Sequence, residues 1–114
     1  MSRAELERDQ ASPPQRVLDV LSDETSREIL SALREPRTAT ELADRCEIPS
    51  STVYRKLDSL TRAGLIKECV TVKPGYGRVS RYELNFDHVE IAIDDGQFSL
   101  AIERPTRSGD TERI

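Results

Sequence analysis

The sequence predicts an α+β fold, four short helices followed by two β-hairpins, and three observations carry that expectation. Apolar residues recur at helical spacing as far as Gly64 and alternate afterwards. The alternating part is interrupted by Lys73-Pro74-Gly75-Tyr76-Gly77, where Pro and two Gly exclude a central strand and mark a hairpin tip. Further on, residues 89–103 read VEIAIDDGQFSLAIE, with Asp95-Gly96 as a strong two-residue turn.

The first helix is expected from about Pro14 to Leu21, with Val17, Leu18 and Leu21 as its apolar stripe. Ser22-Asp23-Glu24 breaks it. Thr25 with Glu28 three residues on fits a capping box, and Ile29, Leu30 and Leu33 follow at helical spacing until Pro36 closes the helix. Thr38 and Glu41 repeat the capping pattern ahead of Leu42, Ala43 and Cys46. After the tight turn Ile48-Pro49-Ser50, a fourth helix runs to about Ala63, with Val53, Leu57 and Leu60 on its inner face. Gly64 supplies the left-handed residue that ends it. Leu65, Ile66, Val70 and Val72 then lead into the hairpin tip, and Val79, Tyr82, Leu84 and Phe86 return from it.

The Asp95-Gly96 turn fixes a register. Asp94 pairs with Gln97, so Ile93 faces Phe98, Ile91 faces Leu100 and Val89 faces Ile102. Every apolar residue meets an apolar partner on one face, while Glu90, Ala92, Asp94, Ser99, Ala101 and Glu103 share the other. A lone two-stranded ribbon of this kind is not stable in water. Its apolar face must cover either its own core or a second protomer.

The chain divides accordingly into a flexible arm (1–13), a four-helix and hairpin unit (14–86), a C-terminal hairpin (87–104) and a flexible tail (105–114). At 114 residues it supports one modest aliphatic core, with five aromatic residues and a 36% hydrophobic fraction. No run is apolar enough for a membrane span, the N-terminus lacks a secretory pattern, and the two cysteines suit free thiols in the cytoplasm.

The net charge of −4 is unevenly placed. Residues 48–82 hold seven basic and two acidic groups, a surplus of +5, while the rest of the chain is at −9. A basic segment within an acidic protein suits local phosphate contact. Two helices joined by a short turn, followed by a hairpin with a basic, glycine-containing tip, make a winged helix-turn-helix. The fourth helix is then the recognition helix. With Val53, Leu57 and Leu60 turned inward, its other face offers Ser50, Ser51, Tyr54, Arg55 and Lys56 to double-stranded DNA. Ser50 and Ser51 also suit a purely structural role as helix caps, which Tyr54 and Arg55 do not. The hairpin wing adds Lys73, Tyr76, Arg78 and Arg81 for the phosphate backbone or minor groove, with Arg81 nearer the wing's base.

The segments LSDETSREILSAL, TELADRCEIPSSTVYRKLDSLTRAGLI and GYGRVSRYEL resemble those of the ArsR-like regulators of archaea and, more loosely, other bacterial and archaeal winged-helix repressors. The resemblance covers roughly residues 16–86. Arg outnumbers Lys by 14 to 3 amid abundant Asp and Glu, which resembles proteins of salt-loving archaea. The resemblance implies a transcriptional regulator, a repressor; a homodimer is expected because two recognition helices reading two half-sites multiply modest individual affinities. Two features depart from it. Glu47 stands in the interhelical turn where Gly is frequent, at a cost on the order of 1 kcal/mol if the turn is left-handed. A terminal hairpin also replaces the helices through which such proteins usually dimerise, which makes Val89, Ile91, Ile93, Phe98, Leu100 and Ile102 the candidate dimer face.

Metal sensing in this family uses cysteines just before the Leu-Ala of the third helix, where this chain reads Thr38-Ala39-Thr40-Glu41. Cys46 suits a small core residue, Cys69 lies in the first wing strand, and His88 is the sole histidine. This pattern implies no metal site and no cofactor. Nothing in it resembles a catalytic constellation or a small-molecule pocket, so no enzyme activity is expected. Two alternatives stay open: a winged helix that binds an acidic protein instead of DNA, and a thiol- or metal-responsive sensor.

Overall fold

The computed structural model describes residues 13–105 of the chain; residues 1–12 and 106–114, assigned from the sequence to the arm and tail, lie outside them. Helices α1 (Pro13–Leu21), α2 (Glu24–Ala32), α3 (Ala39–Cys46) and α4 (Ser50–Arg62) are followed by strands β1 (Ile66–Lys73), β2 (Gly77–Leu84), β3 (His88–Asp94) and β4 (Gln97–Glu103). Four helices and two antiparallel hairpins give the α+β fold expected, with the arrangement of a winged helix-turn-helix. Pro13 already belongs to α1, so the helix begins one residue into the segment read as arm.

The start of α2 differs from expectation. Its cap is Asp23, whose Oδ2 accepts from the Ser26 backbone N–H at 2.8 Å and the Ser26 hydroxyl at 2.9 Å. The turn after α1 is so tight that Asp23 N–H still donates to Val20 O at 3.2 Å. Asp23 is therefore the last non-helical residue, and Thr25 already lies inside the first turn. The helix also ends at Ala32, with Leu33 as its C-cap, ahead of Pro36. At α3 the expected capping box is present: Thr38 Oγ1 accepts from Glu41 N–H at 3.1 Å, and Glu41 Oε1 accepts from Thr38 N–H at 2.9 Å. That reciprocal pair stabilises the helix by about 1 kcal/mol.

Glu47 adopts φ 57° and ψ 48°, so the α3–α4 turn is left-handed at a residue that is not glycine. Pro49 then precedes α4 in extended conformation, and no side chain caps that helix. At its other end Gly64 takes φ 80°. Gly64 N–H donates to Thr61 O at 3.0 Å and Leu65 N–H to Leu60 O at 3.1 Å, a Schellman closure that aims the chain into β1.

Val17, Ile29, Leu33, Leu42, Val53, Leu57, Leu60, Leu65 and Ile66 form one buried core. The wing pairs Ile66 with Leu84 at its base through to Lys73 with Gly77 at its tip. Arg37 forms an isolated antiparallel bridge to β2, its N–H donating to Tyr82 O at 3.0 Å and its carbonyl accepting from Tyr82 N–H at 2.7 Å. This bridge fastens β2 to the start of α3.

The C-terminal hairpin has the register read from its turn: Asp94 with Gln97, Ile93 with Phe98, Ile91 with Leu100 and Val89 with Ile102. Asn85 N–H donates to Leu65 O at 2.8 Å, and the Arg104 guanidinium donates to the carbonyls of Gly64 and Asn85. The hairpin's base is thereby held at the joint between α4 and the wing. Val89, Leu100 and Ile102 pack on the core, whereas Ile91, Ile93 and Phe98 are 50%, 76% and 48% exposed. The basal half of the apolar face closes the protomer's own core. The distal half has no cover among the described residues.

Candidate nucleic-acid interface

Helical periodicity divides α4 cleanly. Val53, Leu57 and Leu60 are buried, and Ser50, Ser51, Tyr54, Arg55 and Asp58 are exposed along the opposite side. Neither serine hydroxyl caps the helix, so the structural role considered for them is not realised. The first turn of α4 therefore presents hydroxyls and free backbone N–H groups together, a combination suited to a phosphate or a base edge.

Ion pairing sorts the seven basic residues of 48–82. Lys56 Nζ lies 3.1 Å from Asp23 Oδ2, Arg62 Nε 3.1 Å from Asp58 Oδ2 one turn earlier, and Lys67 Nζ 3.3 Å from Glu83 Oε2 across the wing. Arg55, Lys73, Arg78 and Arg81 have no carboxylate partner among the described residues. Lys56 departs from the role read for it: its side chain is only 24% exposed and turned toward the cap of α2. Its ammonium neutralises a carboxylate of the chain rather than standing free for a phosphate. Sequence position could not reveal this, because Asp23 is 33 residues away.

The wing also separates its cations by face. Residues directly opposite in an antiparallel pair share a face, and the face alternates along each strand. Arg78, opposite Val72, lies on the face of Val70, Tyr82 and the buried Ile66. Lys73 and Arg81 lie on the reverse face with Cys69 and Thr71. The first face, through Ile66, Tyr82 and Leu84, packs on the core that α4 shares. Burial pushes the Tyr82 phenol above its ordinary pKa, and the charges of Glu68 and Tyr54 raise it further. Tyr82 had no role assigned from the sequence; its side chain packs on the core and its backbone joins the wing to Arg37. At the tip Tyr76 is 82% exposed.

Both thiols are held protonated at neutral pH. Burial raises Cys46 first, with Glu28 adding to it, and the thiol packs against the core. Burial also leads at Cys69, followed by the Glu83 and Glu68 carboxylates. Neither environment activates a thiolate. Among the described residues no group of three or more His, Cys, Asp or Glu is placed to hold a metal ion. No described helix is long and apolar enough to cross a membrane.

Residues 21–69 match a protein-family model described as a helix-turn-helix domain. The match runs from the end of α1 through α4 and halfway along β1. It leaves the wing tip and the C-terminal hairpin outside. No curated protein matches the chain. The chain thus contains a helix-turn-helix domain, the kind found in DNA-binding regulators, which typically act without catalysis.

Proposed function

We propose that this protein is a sequence-specific, double-stranded DNA-binding transcriptional regulator, a homodimeric repressor of the ArsR-like archaeal type. One observation carries the reading. Within the basic segment 48–82, the four cations without a carboxylate partner among the described residues, Arg55 on α4 and Lys73, Arg78 and Arg81 on the wing, lie on the second helix of the helix-turn-helix and the hairpin that follows it. Ser50, Ser51, Tyr54 and Arg55 enter the major groove, where a guanidinium grips guanine through two hydrogen bonds. Lys73, Tyr76, Arg78 and Arg81 hold the backbone or minor groove. The DNA-binding unit spans residues 14–86.

The homodimer forms through residues 87–104. Since Val89, Leu100 and Ile102 are occupied by the protomer's own core, the self-association surface narrows to Ile91, Ile93 and Phe98. Pairing two protomers joins two recognition helices and raises affinity for paired half-sites.

Selection from a random duplex pool, followed by titration across a salt series, tests the reading. A preferred sequence and an affinity that falls steeply with salt support it. A folded protein that binds no duplex at any salt contradicts it and favours an acidic protein as partner.

A further inference from the structure

We propose that Lys56 and Asp23 form a positioning pair that sets the recognition helix for sequence reading, without either residue touching DNA. The proposal rests on the DNA-binding reading above and deepens it. Three donors converge on one oxygen: the Ser26 N–H at 2.8 Å, the Ser26 hydroxyl at 2.9 Å and the Lys56 ammonium at 3.1 Å all meet Asp23 Oδ2. Ser26 is itself buried at 1% exposure, so the acceptor is fixed from the core side. The Asp23 carboxyl is held below its ordinary pKa, first by the Ser26 backbone hydrogen bond and then, against some burial, by Lys56 and the Ser26 hydroxyl. It stays ionised at neutral pH.

The position of Lys56 gives this ion pair its consequence. It follows Tyr54 and Arg55 directly and precedes the buried Leu57. An α-helix turns by about 100° per residue, so a tether at Lys56 resists rotation of α4 about its own axis. Val53, Leu57 and Leu60 fix the buried side of α4 by close packing. The ion pair, made with hydrogen bonds to a fixed carboxylate, adds a second anchor on the flank of the helix next to Tyr54 and Arg55. Base reading depends on the aim of Tyr54 and Arg55, whereas phosphate attraction depends mainly on charge.

Long-range charge and positioning predict opposite signs for one substitution. Asp23→Asn preserves the cap, because Asn caps helices as well as Asp, while removing a negative charge. Simple electrostatics expects stronger DNA binding from that change. Positioning expects weaker binding to the preferred duplex.

The test uses the full chain and fluorescence anisotropy on two probes, the duplex preferred by wild type and a random duplex. Circular dichroism and thermal midpoints confirm that each variant is folded at the assay temperature. Lys56→Met and Asp23→Asn are each expected to lose roughly two- to thirtyfold in affinity for the preferred duplex. The double variant loses no more than either alone. The salt slope stays at the wild-type value, and Lys56→Arg, which still reaches the carboxylate, retains preferred-site affinity. A drop of about 0.9 in the salt slope on Lys56→Met, with Asp23→Asn binding as well as wild type or better, identifies a direct phosphate interaction and overturns the proposal. Unchanged preferred-site affinity in both single variants overturns it equally. Wild type that binds neither probe removes the DNA-binding reading itself, and the pair's role falls with it.

Discussion

The two hairpins are built alike and carry unlike surfaces. Each is a two-stranded antiparallel ribbon reversing through glycine at positive φ, Gly75 and Gly77 in the wing and Gly96 in the C-terminal hairpin. The wing, residues 66–84, carries four basic and two acidic residues, and three of the four cations lack a carboxylate partner among the described residues. The C-terminal hairpin, residues 88–103, carries four acidic residues and no Lys or Arg, with exposed Ile91, Ile93 and Phe98 on its inner face. Backbone architecture is therefore silent about partner. What distinguishes a surface for a polyanion from one for an apolar partner is the residual charge and the uncovered apolar area after the chain's own interactions are made.

The largest expected effect separates the two ribbons most sharply. Ile93→Asp with Phe98→Asp places charges on the uncovered half of the C-terminal face while leaving Val89, Leu100 and Ile102 on the core. Light scattering should show a monomer. Affinity for a duplex with two half-sites should fall by roughly 10²- to 10⁴-fold, and affinity for a single half-site should stay as it was. A protein that is monomeric before the change removes the self-association proposal.

The next effect tests the two faces of the wing against each other. Arg78 shares its face with Tyr82, which packs on the core beneath α4, and Arg81 lies on the reverse face. Arg78→Ala should weaken DNA binding by about 1–3 kcal/mol, and Arg81→Ala by less. Equal losses would show that DNA does not distinguish the faces.

Smaller still is the effect at the joint where both ribbons meet the recognition helix. A Cβ on Gly64 would stand 3.3 Å from an Arg104 nitrogen, at φ 80°. Gly64→Ala should cost about 1–2 kcal/mol in a denaturant titration, from the left-handed strain alone. Gly75→Ala meets no neighbouring atom within 4 Å, so only the φ strain applies there and the cost should be no larger. The smallest change is a gain: Glu47→Gly should raise stability by about 0.5–1 kcal/mol by relieving the left-handed turn.

Much of the fold was legible because local chemistry determines it. Asp95-Gly96 admits one short turn, and the alternating apolar residues then admit one register, so every pair from Asp94–Gln97 to Val89–Ile102 followed. The Thr38–Glu41 box and the Gly64 closure depend on residues three or four apart and were equally readable. Asp23 was missed as a cap because Thr25–Glu28 fits the same pattern two residues later. Only the tightness of the α1–α2 turn decides between them.

The site was less legible than the fold. A charge count marks Lys56, Arg62 and Lys67 as strongly as Arg55, although each is neutralised by a carboxylate that packing or helical spacing brings near. Arg62 with Asp58 was readable from its i,i+4 spacing. Lys56 with Asp23 depends on how α2 docks against α4. Parity along the wing, counted from the Lys73–Gly77 pair, already separates Arg78 from Arg81. Which face adjoins α4 becomes visible only once Ile66 and Tyr82 are seen packed on the shared core.

Arg55 of α4 and Arg78, on the core-side face of the wing, belong to one proposed DNA surface. Fluorescence anisotropy across a salt series, on the preferred duplex, compares wild type with Arg55→Ala combined with Arg78→Ala. The predicted result is wild-type binding that weakens steeply with salt and, in the folded double variant, binding that is far weaker. The variant's salt slope should also be lower, by about 0.9 for each phosphate it no longer neutralises. A double variant that binds as tightly as wild type, with the same slope, would place the DNA surface elsewhere and contradict the account.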